Sequence, residues 1–193
     1  NQAIAQLSDK ANFEVHFRPF ELNPKMPLGG QDAIEHLTEK YGLTVEQVQA
    51  NQANIRTKAS EAGFEFHSEG RKRVYNTFDC HRLLYWAAKE YSLQKQAELK
   101  KELLNTYFCL AVNLDDQDNL VDAVMRAGLD KDRAQEILKG KEFTDEVREE
   151  QSTYTGAGIS SVPSIILGNQ YLLQGAQPPE SFINAFEQLI QKS

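Results

Sequence analysis

A chain of 193 residues with a formal net charge of −7 is long enough to bury one substantial core. With a pI near 5.2 it is too acidic to grip a nucleic-acid backbone, whose phosphates need a basic surface. Forty per cent hydrophobic and 25% charged residues is an ordinary globular balance, and no apolar run approaches the roughly eighteen residues of a bilayer span, so a membrane partner is not expected. Arg71-Lys72-Arg73 is the only basic run and reads as a solvated loop. Cys80 and Cys109 lie far apart and make neither a Cys-x-x-Cys nor a metal-ligand set; two buried free thiols and no bound metal are expected. So few cysteines mildly favour a reducing compartment.

In chain order, residues 1–7 show no initiator Met and no basic-then-apolar leader. Good helix formers with Ile4 and Leu7 three apart read as the interior of a helix. A helix opening on Asn1 without a cap implies that further chain precedes it. Phe13 to Arg18 alternates apolar and polar with period two, the pattern of an edge strand with one buried face, which Pro19 and Pro24 end.

From Gly29 to about residue 154 the period is helical. A helix over 31–41 stops at Gly42. Thr44 to Gln47 forms a capping box that opens a helix to about Ala62, stopped by Gly63. Asn76 or Thr77 caps a helix to near Tyr91, and another runs from Leu93 to about Val112. Asn119–Ala127, a helix capped by Asp130 and one capped by Thr144 complete the block. Two strands then follow, 162–167 and 170–173, joined by Gly168-Asn169 as a type II′ turn. Pro178-Pro179 opens a last helix whose stripe is Phe182, Ile183, Phe186, Leu189 and Ile190.

Chemistry has two candidate places. The first is the Gly-rich stretch Gly156 to Ile166, where Pro163 stands at the entrance of a strand read as buried. That position is unusual because proline withholds a ladder donor. It is either a trans proline starting an edge strand or a cis proline shaping a binding ledge. The second is Tyr75 to Leu83. Here Asn76 or Thr77 caps a helix, and His81 is one turn in, as a packed histidine or a general base. Cys80 and His81 are a poor nucleophile–base pair, because neighbours on a helix diverge by about 100°.

Several segments together resemble the DsbA-like thioredoxin-superfamily oxidoreductases, in particular the FrnE-like branch. They are Phe17 to Pro24, Asn76-Thr77 with His81-Arg82-Leu83, Tyr107-Phe108, Gly158 to Ile166, and Gly175 to Pro178. The resemblance implies an α/β, thioredoxin-like fold with a large all-helical insertion between the second strand and the C-terminal hairpin. The thioredoxin-like domain would be 1–28 with 155–193, its N-terminal strand missing, and the insertion 29–154. It implies a cis Pro163, with the backbone of Val162 turned out to pair with an extended substrate. Ser161, Val162, Pro163, Asn76 and His81 become the substrate-binding residues. No catalytic residue is expected in this chain. Family members carry a Cys-x-x-Cys at the front of the opening helix, which here would lie upstream of Asn1. There the helix dipole lowers the first thiol into the range of roughly 3.5–7.5, and exchange runs through a mixed disulfide. The family usually has Ala where Cys80 stands.

The implied function is thiol-disulfide oxidoreductase or isomerase on protein or small-molecule thiols. It needs no cofactor, works in the cytoplasm, and allows a homodimer through the helical block. Two alternatives share the scaffold. One is a glutathione-using enzyme such as a kappa-class transferase or a 2-hydroxychromene-2-carboxylate isomerase, with Ser replacing the first cysteine. The other is a non-catalytic binding module.

Overall fold

Caps decide where the helices begin, and a computed structural model describing residues 2–191 makes the chemistry of each visible. α1 (Gln2–Leu7) buries Ala3 and Leu7; the expected start at Asn1 falls outside the described residues. Phe13 to Arg18 is not a strand: nothing among the described residues forms a ladder with it. The alternation is carried by side chains alone. Phe13 packs edge-on against Phe186, ring centroids 4.8 Å apart, while Val15 stays 45% exposed. A period of two marks an extended segment, but only a hydrogen-bonding partner makes it a strand.

The next helix also begins later than the periodicity suggests. Gln31–Asp32 (β1) pairs antiparallel with Arg73–Val74 (β2). The Asp32 carboxylate then accepts the N–H groups of Ile34 and Glu35 at 2.9 and 3.0 Å, so α2 (Ala33–Tyr41) starts after it. α3 (Val45–Glu61) opens on the Thr44–Gln47 capping box. α4 (Phe78–Trp86) and α5 (Leu93–Leu104) each run on into one π-helical turn, Ala87–Tyr91 and Asn105–Cys109. α6 (Gln117–Arg126), α7 (Lys131–Lys139) and α8 (Thr144–Gly156) follow. β3 (Ser164–Leu167) and β4 (Tyr171–Gln174) form an antiparallel hairpin, and α9 (Pro179–Ile190) places Pro179 in its first turn. The hairpin turn is not type II′. Gly168 and Asn169 both have positive φ, 53° and 54°, the type I′ signature that Gly and Asn tolerate.

The chain divides into two compact units, residues 1–22 with 149–193, and 23–148. Both divisions fall earlier in the chain than the expected 28/29 and 154/155. In the helical unit Trp86, Leu83, Leu99, Leu120 and Ile137 are wholly buried at the centre of the core. The basic run is not a solvated loop. The Arg71 guanidinium lies over the rings of Tyr107 and Phe108 and donates to the Tyr107 hydroxyl at 3.0 Å. Arg73 donates to the carbonyls of Gly29 and Gly30 at 2.7 and 2.8 Å. Lys72 pairs with Glu69.

The least expected buried group is Arg82, 4% exposed on α4. Its guanidinium donates to the carbonyls of Ile137, Gly140 (2.8 Å) and Glu142 (2.9 Å), and to Asp79 at 2.8 Å. A helix leaves its last carbonyls without intrahelical partners and carries partial negative charge there. Arg82 supplies both donors and charge to the end of α7. Arg82→Ala leaves buried carbonyls without donors and is expected to lower stability by about 3–5 kcal/mol in urea unfolding. Arg82→Lys recovers only part of that, because an ammonium lacks the planar fork that meets several acceptors together. A loss below about 1 kcal/mol for Arg82→Ala would mean that water replaces the guanidinium.

Candidate functional site

The stretch leading to Pro163 is built by the way α8 ends. The N–H of Gly158 donates to the carbonyl of Thr155 and that of Ile159 to Tyr154, both at 3.0 Å. This is a Schellman ending with Gly158 as the left-handed residue, φ +90°. Ile159, 6% exposed, is the apolar residue that follows such a cap inward. The same pairing closes α3 at Gly63 and α6 at Gly128. The glycines of 156–158 therefore stop a helix and turn the chain toward the hairpin.

Beyond Ile159, residues 160–163 are exposed, with Val162 at 47%. The Val162–Pro163 peptide is cis. The Ser164 hydroxyl donates to the carbonyl of Ser161 at 2.8 Å, and Gly175 N–H donates to the carbonyl of Pro163 at 2.9 Å. That last bond sets the phase of the ladder. Pro163, Ile165 and Leu167 occupy hydrogen-bonded positions, so the backbone groups of Ser164 and Ile166 face away from β4. Among the described residues no strand pairs with that edge. The strand is also less buried than its composition suggests. Leu167 is buried on one face, while Ile166 and its cross-strand partner Leu172 are each 45% exposed on the other.

The five expected site residues fall in two places. Ser161, Val162 and Pro163 are contiguous in the first unit; Asn76 and His81 are in the helical unit. Asn76 does the capping: its side-chain oxygen accepts the N–H of Phe78 at 2.8 Å, while Thr77 at the N-cap position makes no side-chain capping bond. Arg148 stacks over the Phe78 ring, 3.6 Å from its centroid. His81 is 8% exposed and its N–H donates to Thr77. Sequence reading missed Arg82, one residue on, because arginine in a helical pattern reads as surface.

Both thiols are free, but only Cys80 is buried; Cys109 is half-buried, against the expectation for it. Burial pushes the Cys80 thiol from its ordinary 9.0 up to about 12, an effect that the nearby Lys100 ammonium offsets only in part. Burial, and then the charge of Glu65, also raise the Cys109 thiol. A thiolate nucleophile needs the opposite shift. No cluster of three or more His, Cys, Asp or Glu side chains among the described residues could hold a metal ion, and no helix among them is long and apolar enough to cross a membrane.

A unit made of α1, a hairpin entered through an exposed Val162–Pro163 peptide and α9, split in sequence by an inserted helical unit, is the architecture of a thioredoxin-type scaffold. The family model described as the DSBA-like thioredoxin domain matches residues 1–187. A probable DsbA oxidoreductase from Streptomyces coelicolor is 32% identical, with a TM-score of 0.87 over 97% of this chain and 80% of that one. A 2-hydroxychromene-2-carboxylate isomerase shares the fold at 13% identity, TM-score 0.67, over 99% of this chain and 88% of that one. No curated protein sequence matches. The chain belongs to the DSBA-like thioredoxin domain family, and its fold is the DsbA-like thioredoxin fold, mostly helical with few strands.

Two measurements check this description. Gly158→Ala meets no atom within 4 Å, so its cost is that of forcing a side chain into positive φ: about 1–2 kcal/mol in urea unfolding. No loss would mean that α8 ends differently. For Cys80 the folded thiol holds its proton above the value it has in the unfolded chain. That contribution is complete below about 9 and is lost as pH rises towards about 12. Stability should therefore fall with pH across that window in the wild type and fall less in Cys80→Ala. Parallel slopes for the two proteins would contradict a buried neutral thiol.

Proposed function

We propose that this chain is the larger part of a thiol-disulfide oxidoreductase of DsbA-like type. It exchanges disulfides with protein or small-molecule thiols through a Cys-x-x-Cys that its 193 residues do not contain. The observation that carries the reading is the likeness to the probable DsbA oxidoreductase over 97% of this chain. Two features support it. The outer edge of β3 offers Ser164 and Ile166 to a further strand, the element on which such a motif would arrive. Neither Cys80 nor Cys109 is fit to attack a disulfide, since burial raises both.

In the exchange, the first cysteine's thiolate attacks one sulfur of a substrate disulfide, and the other sulfur leaves as thiolate. The second cysteine then displaces the first from the mixed disulfide. Two electrons pass from the dithiol to the substrate, and the reverse sequence oxidises a substrate dithiol. The part assigned to this chain is to hold an extended substrate against the exposed Val162 backbone, with Ser161 and Pro163 beside it. Asn76 caps the start of α4, the helix on which His81 is buried. No cofactor is required, and the protein works in the cytoplasm.

The glutathione-using reading rests on the same scaffold, with Ser in place of the first cysteine. Insulin reduction decides between them. The protein made with the residues encoded before Asn1 should catalyse it, and iodoacetamide should abolish that activity. Catalysis that survives alkylation would remove thiol exchange. A Ser in place of the first cysteine, with glutathione-dependent turnover, would move the protein to the second class. The 193-residue chain alone should give no rate above background; turnover by it would end the argument for an external motif.

A further inference from the structure

In the helical unit, a groove of about 520 Å³ lies between the C-terminal half of α3 and the residues that follow it. Small-ligand sites usually fall between roughly 300 and 1,000 Å³. Its lining includes Arg56, Glu61, Glu65, Phe66 and His67. Charges of both signs line one open groove, yet no carboxylate among the described residues pairs with Arg56. It donates instead to the carbonyl of Ser68 at 3.3 Å, and its other terminal nitrogen fills the space over Gly70, where a Cβ would sit only 2.9 Å away. Glu65 is held separately, accepting the Ser60 hydroxyl at 2.6 Å. Phe66 is fixed edge-on against Phe64 and Phe108, centroids 5.2 and 5.4 Å apart. His67 Nδ1 accepts the Glu69 N–H at 3.3 Å, which leaves Nε2 as the donor of the neutral ring.

A cation held by one carbonyl and an anion held by one hydroxyl, with a further carboxylate residue, Glu61, on the same lining, form a template for a ligand that carries both charges. A phosphate would meet Arg56 but be opposed by two carboxylates, and a simple cation would be opposed by Arg56. We infer that this groove binds a zwitterionic ligand of the short-peptide class, its carboxylate on Arg56, its ammonium toward Glu61 and Glu65, and its chain against Phe66. The inference is independent of the thiol chemistry proposed above.

The test is an NMR titration of the 15N-labelled 193-residue chain with triglycine, and with N-acetyltriglycine and triglycine amide, each of which deletes one charge. Triglycine should shift the Ser68 and Gly70 amides saturably, and each capped peptide should bind about tenfold more weakly, the loss of one charge-assisted contact. Arg56→Gln should weaken triglycine about tenfold while leaving triglycine amide unchanged, since that ligand has no carboxylate to lose. Three results would overturn the inference: no saturable shift, equal affinity for the three peptides, or inorganic phosphate producing the triglycine shifts at the same concentration.

Discussion

The guanidinium of Arg82 is the contact on which the helical unit turns. It sits among carbonyls that α7 cannot satisfy by itself, at Ile137, Gly140 and Glu142, and takes the Asp79 carboxylate as its counter-ion. A charge this deeply placed is stable only because nearly every face of it meets an acceptor. The same geometry joins α4 to the end of α7 and to the entry of α8. Arg133 makes a second clasp over that region at the surface, bridging Glu90 and Glu142 at 2.7 and 2.6 Å. Its side chains are partly exposed, so water and salt screen it and it contributes less.

The two units answer to different physics. The helical unit is organised by a continuous apolar core around Trp86, whose indole N–H finds Glu90 at 2.7 Å. The other unit has a short hairpin, and no side chain of α9 is fully buried. Long-range polar contacts tie its separated segments: Lys10 to Glu187, Arg18 to Glu150, and Gln151 to Glu21. The conformation at Val162–Pro163 lies between a glycine-terminated helix and a strand that, among the described residues, pairs on one side only. Exposure there is a consequence of how the neighbouring elements stop.

Several helix starts were legible because capping is local chemistry, although α2, α6 and α8 start elsewhere than their patterns indicated. Thr44 with Gln47, Asp130 and Pro179 act within one turn of themselves, as their positions in the sequence indicate. Left-handed endings at Gly42 and Gly63 were legible for the same reason. What sequence could not carry was anything depending on a partner remote in the chain. Phe13 to Arg18 has the right alternation, but strand character depends on a neighbour. The pairing of Gln31–Asp32 with Arg73–Val74 is too short to impose a period. Arg71 and Arg73 looked like a solvated basic run because nothing in their neighbourhood announces the rings and carbonyls that they reach. At the candidate site, Ser161, Val162 and Pro163 could be singled out from their own residue types. The cap of α4 was narrowed to Asn76 or Thr77, and Arg82 beside His81 was read only as part of the family resemblance, without its buried role.

The π-helical turn at Asn105–Cys109 settles an otherwise awkward matter of direction. Consecutive residues on an α-helix point about 100° apart, yet Tyr107 and Phe108 both face one guanidinium, with Arg71 lying 5.1 and 5.4 Å from their ring centres. The wider turn narrows that divergence a little, and the two ring centres lie 4.6 Å apart, close enough for one cation to reach both. Shortening this segment by a single residue would keep a helix here while swinging one ring off its cation, so spacing as well as identity is under constraint at this point.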